Sequence, residues 1–249
     1  YFESRLLANH KQQMKELIQR DKNRASVVMW SVSNEPKSDK NESESYFKEV
    51  INYTRELDSK HKRPITLVTD KGTGDKSAPF VDILSINRYF SWYSDPGHTE
   101  VIRESMILDV ENWVKTHNKP VLITEYGADT IPGLHQSPEY SPEYVFTEEY
   151  QTKFMKEHFK AFDYLRANSS FIGEHIWNFA DFMTAQGITR ILGNRKGIFT
   201  RERQPKASAH LLRYRFHLLA SETDSYPIPQ DLIENVPVYK KAVRTHDEH

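Results

Sequence analysis

Apolar positions along the chain switch repeatedly between two periods. Leu7, His10, Met14, Leu17 and Ile18 recur at helical intervals and stop at the polar run 20–24, which predicts a first helix. The run 27–33 (VVMWSVS) has the composition of a strand and ends at Asn34-Glu35-Pro36, where proline cannot continue a strand ladder. Phe47, Val50, Ile51, Thr54 and Leu57 mark a second amphipathic helix, and the apolar runs 65–69 and 83–87 predict two more strands. A helix over 99–116, carrying Val101, Ile102, Leu108 and Trp113, leads into a fourth strand at 121–124. Thr147 suits the cap of a helix whose inner face is Tyr150, Phe154, Phe162 and Leu165. The fifth strand is read at 171–178, and Pro205 suits the first turn of a last helix reaching about Leu219.

Short apolar strands alternating with amphipathic helices predict βα units around a parallel sheet covered on both faces. An open doubly wound sheet and part of a (β/α)8 barrel both produce this pattern, and periodicity does not separate them. Residues 222–249, with Pro227, Pro229 and Pro237 and a charged end, read as an extended tail behind a folded region spanning 1–221. The chain opens on Tyr1 almost directly into a helical pattern, as a piece of a longer protein would.

Parallel α/β sheets gather functional groups on the loops that follow their strands. Two carboxylates stand there, Glu35 after the first strand and Glu125 after the fourth. Each alone is either a solvated loop residue or a member of a site. A pair on different strand ends suits glycoside hydrolysis, one carboxyl acting as general acid while the other attacks or activates water. Tyr89 and Trp92 follow the third strand and Trp177 closes the fifth. A lone aromatic there is usually core, but this cluster offers a flat face to a sugar ring and, from Tyr89, a hydroxyl to a carboxylate. The basic turn from Arg190 to Gly197 reads by itself as a solvated loop. Beside a sugar site, Arg190, Asn194 and Lys196 would instead bind an anionic substituent such as a uronic acid carboxylate.

Composition removes other classes. The 34 Lys+Arg balance 35 Asp+Glu, so nucleic acid is a poor partner. Without cysteine there is no disulfide, thiol nucleophile or thiolate metal site. The 11 histidines contain no HExxH pair and no G-x-S-x-G occurs, so neither a metal centre nor a serine hydrolase elbow is expected. Gly72 to Ser77 looks glycine-rich, but Asp75 would repel phosphate and the segment reads as a turn. His175 reads as an interior histidine of the fifth strand. No apolar stretch approaches the roughly 18 residues of a membrane span. Sequons at Asn41, Asn52 and Asn168 favour a secretory or lysosomal route, while 246–249 (HDEH) lacks the final Leu of a retention signal.

Taken together, VVMWSVSNEP, INRYFSWY, TEYGADTIPGLHQ, EHIWNFADFMT and TRILGNRKGIFTRERQPK resemble the catalytic domain of the β-glucuronidases of glycoside hydrolase family 2, most closely the animal lysosomal form. The resemblance runs collinearly over about 6–220. It implies strands four to eight of a (β/α)8 TIM barrel, with two N-terminal β domains and strands one to three lacking. It implies a retaining mechanism on β-glucuronides or glycosaminoglycan ends, without cofactor, in a homotetramer. Glu35 matches the acid/base and Glu125 the nucleophile. Asn34 matches a donor to the sugar 2-hydroxyl, Asn87, Tyr89 and Tyr93 match groups beside the nucleophile, and Trp177 matches the pocket wall. Arg190, Asn194 and Lys196 match the binders of the glucuronate carboxylate. The stretch 137–144 (SPEYSPEY) departs from the family and would reshape the aglycone entrance. Another family 2 exo-glycosidase, a β-galactosidase or β-mannosidase, stays open, as does a truncated, non-catalytic chain that binds partner subunits.

Overall fold

The computed structural model of the chain describes residues 2–137, 139 and 142–235. In chain order they form α1 (Ser4–Asp21), β1 (Trp30–Asn34), α2 (Asn41–Leu57), β2 (Ile65–Thr69), β3 (Ile83–Asn87), α3 (Ile102–His117), β4 (Val121–Glu125), α4 (Glu148–Asn168), β5 (Phe171–Glu174), α5 (Ala207–Asp224) and α6 (Gln230–Asn235). The strands make one sheet in the order β1-β2-β3-β4-β5, with parallel pairing. That order decides between the two architectures. A doubly wound sheet reverses direction at a switch point, whereas here each strand is added on the same side of the last. The fold is a portion of a (β/α)8 barrel.

The chain divides into two compact units. The first contains the described residues up to Arg88, Leu108–Thr124 and Asn168–Glu174, and so holds nearly the whole sheet. β2 and β3 are buried at every position, as continuous apolar strands in a doubly covered parallel sheet should be. α1 turns Met14 and Ile18 inward, and α2 turns Tyr46, Phe47, Val50 and Ile51 inward. Two buried acids tie the loops. Asp58 accepts from Trp30 Nε1 at 3.0 Å and pairs with Arg63 at 3.0 Å. Asp75, in the glycine-rich turn, accepts from Ser38 Oγ at 2.5 Å, Thr69 Oγ1 at 2.6 Å and the Ser77 amide at 2.8 Å. Its carboxylate is satisfied internally, which explains an acid at a position where it repels phosphate.

The second unit contains Tyr89–Ile107, Glu125–Ala167 and the described residues from His175 onward. Thr147 caps α4 as its spacing predicts, its Oγ1 accepting from the Tyr150 amide at 3.1 Å. Tyr150, Phe154, Phe162 and Leu165 are all buried. Glu148 accepts from the amides of Gly133 at 2.9 Å and Ala207 at 2.7 Å, joining the start of α4 to the start of α5.

Several boundaries differ from the sequence expectation. β1 begins at Trp30, and β5 ends at Glu174 rather than 178. Beyond β5 the Trp177 amide donates to Tyr126 O and the Asn178 amide to Lys196 O, which takes the segment out of the ladder. His175 therefore lies outside the strand and is exposed, not interior. Leu108 is 60% exposed, while Ile102, Met106, Val110 and Trp113 are buried. Six residues after Ile102, at roughly 100° each, Leu108 has turned off that stripe. Pro205 precedes the cap residue Lys206 instead of entering the first turn of α5. The tail read as extended is helical over some of its length: α5 runs to Asp224 and α6 follows, with Leu232 buried. Its remainder, 236–249, lies outside the described residues, as do 138, 140 and 141 of the SPEYSPEY stretch.

Among the described residues the buried histidine is His158 on α4. Its Nδ1 bonds Phe154 O at 2.9 Å and its ring stacks on Tyr126 at 5.0 Å. Burial lowers its pKa from 6.5 to about 4. The folded state keeps the ring neutral while the unfolded chain protonates below about 6.5. Stability is therefore full above that value and falls as pH drops toward about 4, by about 3 kcal/mol in total. Urea unfolding of His158→Phe at pH 4.5 and 7.5 should show a smaller pH difference than the parent chain; an equal difference would clear His158 as its source.

Candidate active site

The first unit carries one cluster at the end of β1. Ser31 aligns with Thr66 but Asn34 aligns with Val68, so β1 spends three steps where β2 spends two. This is a bulge, a device that re-aims a side chain. Glu35 follows at once with φ +46°, a conformation few side-chain-bearing residues adopt, and its amide donates to Val68 O at 2.9 Å. Its carboxylate meets the end of β3, where Asn87 Nδ2 donates to Oε1 at 2.7 Å. Asn87 is buried, and its Oδ1 accepts from Thr124 Oγ1 at 2.7 Å. With one end of the amide taken by a hydroxyl donor, the other end must present N–H to Glu35. Asn34 and Glu35 are both exposed.

The second unit carries the other cluster. Glu125, the last residue of β4, accepts from the Tyr89 hydroxyl at 2.5 Å through Oε2, a short charge-assisted bond. The Tyr89 ring stands edge-on to Tyr93, with centroids 5.0 Å apart. Tyr93 in turn accepts from Arg190 Nη2 at 2.5 Å and Lys196 Nζ at 3.2 Å. Lys196 has no exposed side-chain surface, and its ammonium lies 4.9 Å from the ring centres of both Trp92 and Tyr93. It pairs with Asp129 Oδ2 at 2.8 Å. Burial lowers the Lys196 pKa to about 8, with Asp129 opposing that shift. Burial also raises the Tyr93 pKa, so its hydroxyl stays neutral.

Asn194 supports this cation from within its own loop. It is buried, and its Oδ1 accepts from the Lys196 amide at 3.1 Å while its backbone pairs with Phe182. Trp177 is half-buried and stands edge-on to Phe182 at 6.1 Å, joined to Asn178 by a cis peptide bond. Gly127 makes room for it: a Cβ on Gly127 would lie 2.0 Å from Trp177 O.

A model of the family "Glycosyl hydrolases family 2, TIM barrel domain" matches residues 2–221. The chain belongs to glycosyl hydrolase family 2. It is 46% identical over 241 residues to a β-glucuronidase of Chlorocebus aethiops, covering 95% of this chain and 36% of that protein. Among solved structures it is similar to a β-glucuronidase of an uncultured Clostridium sp., at TM-score 0.78 and 51% identity over 84% of this chain and 35% of the other. It is also similar to a Ruminococcus gnavus β-glucuronidase in complex with D-glucuronic acid, at TM-score 0.75 and 38% identity over 85% and 36% of the two chains. The chain thus spans about a third of the length of the curated relatives it matches.

In this family 2 chain the candidate residues fall into two groups. Glu35 and Asn87 are bonded in one; Tyr89, Tyr93, Glu125, Arg190 and Lys196 are linked in the other. Sequence reasoning missed Thr124 and Asp129. The signal for Asp129 was the basic loop itself, since 190–197 contains no acid to balance its charge. Among the described residues no cluster of three or more His, Asp or Glu is placed to hold a metal, and no helix is long and apolar enough to cross a membrane. The sequon residues Asn41, Asn52 and Asn168 are exposed.

Gly127→Ala must push its methyl group against a backbone carbonyl. The expected loss is about 3 kcal/mol of stability with altered Trp177 fluorescence. A variant with the parent's melting temperature and emission would show that the Trp177 segment gives way freely.

Proposed function

We propose that this chain carries the reactive portion of a retaining β-glucuronidase, which removes terminal β-D-glucuronic acid from glucuronides or glycosaminoglycan ends. The observation that carries this reading is the enclosed Lys196 ammonium, with Arg190 and Tyr93, in the same unit as the Tyr89–Glu125 pair. A neutral hexose gives no reason to bury a cation there; a sugar carboxylate does. The glucuronic acid held by the Ruminococcus gnavus relative supports the same substrate class.

In this mechanism Glu125 attacks the anomeric carbon as a carboxylate, with Tyr89 donating to its other oxygen and so fixing its direction. Glu35 gives a proton to the leaving oxygen, then takes one from water once the glycosyl ester has formed. A retaining reaction requires the two carboxyl groups roughly 5–5.5 Å apart. Asn34 donates to the 2-hydroxyl, Asn87 orients Glu35, and Trp177 walls the sugar. Arg190, Asn194 and Lys196 hold the carboxylate, with no metal or organic cofactor. Within the longer protein suggested by its relatives, the chain would act in a homotetramer, in the lysosome or after secretion, with Asn41, Asn52 or Asn168 glycosylated. A galactoside- or mannoside-specific hydrolase of the same family is the second reading, and Lys196 is the residue against it.

The test is hydrolysis of 4-nitrophenyl β-D-glucuronide beside the β-D-galactoside at pH 4–7, with Glu125→Gln as control. Glucuronide turnover should dominate and vanish in the variant; galactoside turnover alone would sink the carboxylate-binding role of Lys196. Turnover of neither sugar would favour a non-catalytic chain. Tyr89→Phe removes one bond to a charged acceptor and should lower kcat by about 10–100-fold, since such bonds contribute roughly 1.5–3 kcal/mol. Proton NMR of the first-formed sugar should show the β anomer, and the α anomer would exclude double displacement.

A further inference from the structure

Lys196 is fully enclosed and Arg190 is only 27% exposed, yet the loop that carries both has no acidic residue. Their counter-charge comes from Asp129, four residues beyond Glu125. The Asp129 side chain has no exposed surface. Its Oδ1 accepts from the Arg195 amide at 2.5 Å, while its Oδ2 accepts from Lys196 Nζ at 2.8 Å and Arg190 Nη1 at 3.0 Å. One carboxylate oxygen thus sits between two cations that would repel each other, and the amide bond fixes its orientation. Glu125 favours the charge on Lys196 and Arg190 opposes it; the neutral hydroxyl of Tyr93 accepts from both cations.

We propose that Asp129 is the positioning residue of the anion pocket: it holds the Lys196 ammonium and the Arg190 guanidinium side by side, two cations against one carboxylate, matched to a single substrate carboxylate rather than to a neutral sugar. The substrate class rests on the glucuronidase reading; the arrangement of the three charges does not. A buried ammonium deprived of its partner is driven toward the neutral amine. The pocket then loses charge at pH values where the parent chain keeps it.

Asp129→Asn preserves shape and removes the charge. The expected result is a rise of about tenfold or more in KM for 4-nitrophenyl β-D-glucuronide with kcat changed by less than about threefold, because the lost contact serves binding. A second readout is independent of turnover. In the chain labelled with ¹³Cε-lysine, the Lys196 resonance should titrate near 8 in the parent and about one unit lower in Asp129→Asn. Asp129→Glu, which keeps the charge, should restore that midpoint, and it carries the titration if Asp129→Asn does not fold. A chain that turns over no glucuronide but shows the shifted midpoint would remove the glucuronidase reading and leave the positioning role intact. A folded Asp129→Asn chain with unmoved midpoint and unchanged KM, or a midpoint that falls in Asp129→Glu, would overturn the proposal.

Discussion

A charge enclosed without water has to be stabilised by the protein that encloses it, and Lys196 is such a charge. Its ammonium is held by Asp129, by the Tyr93 hydroxyl and by the faces of Trp92 and Tyr93. Together with Lys196 itself these draw on three stretches of chain: the segment after β3, the loop after β4 and the loop carrying Arg190. Meeting the needs of one side chain therefore fixes three loops against each other within the second unit. Lys206 repeats the device, its buried Nζ bonded to Asp181 at 2.9 Å and to the carbonyls of Thr130 and Arg195. The alternation of Lys196 and Lys206 with buried acids gives this unit an ionic interior in its loops, where α4 gives it an aromatic one.

The first unit is built on another principle. Its central strands β2 and β3 are buried on both faces, and the polar groups that enter its interior are satisfied by one another: Thr66 with Ser85, Asp75 with three hydroxyls and an amide, Asp58 with Trp30 and Arg63. Thr124, Asn87 and Glu35 continue that habit to the edge of the sheet. A hydroxyl fixes an amide and the amide fixes a carboxylate, so the exposed acid inherits its orientation from a one-way chain of donors.

The alternation of short apolar runs with helical spacing made the β2 and β3 limits legible to the residue, because nothing but burial on both faces acts on them. The placement of Glu35 and Glu125 at strand ends was legible for a related reason, since apolar runs stop there. What was hidden depended on partners distant in sequence. The end of β5 is set by Tyr126 and Lys196, whose carbonyls draw Trp177 and Asn178 off the ladder. Asp129 looks like any loop acid until the cations 61 and 67 residues away are placed beside it. Leu108 shows the local form of the same failure: its hydrophobicity suggested the core, but the helical phase set by its neighbours carried it outward.

The bulge in β1 makes the sheet edge sensitive to counting rather than to chemistry. A strand presents alternate residues to opposite faces, so its pattern has parity, and one supernumerary residue reverses the parity of everything after it. Asn34 and Glu35 lie just past that reversal. A substitution within 31–33 leaves the count unchanged and the bulge in place, whereas deletion of any one residue there evens the count with β2, abolishes the bulge and leaves Asn34 opposite Val68 on a regular strand. In this segment the length of the chain carries information that the identity of its residues does not.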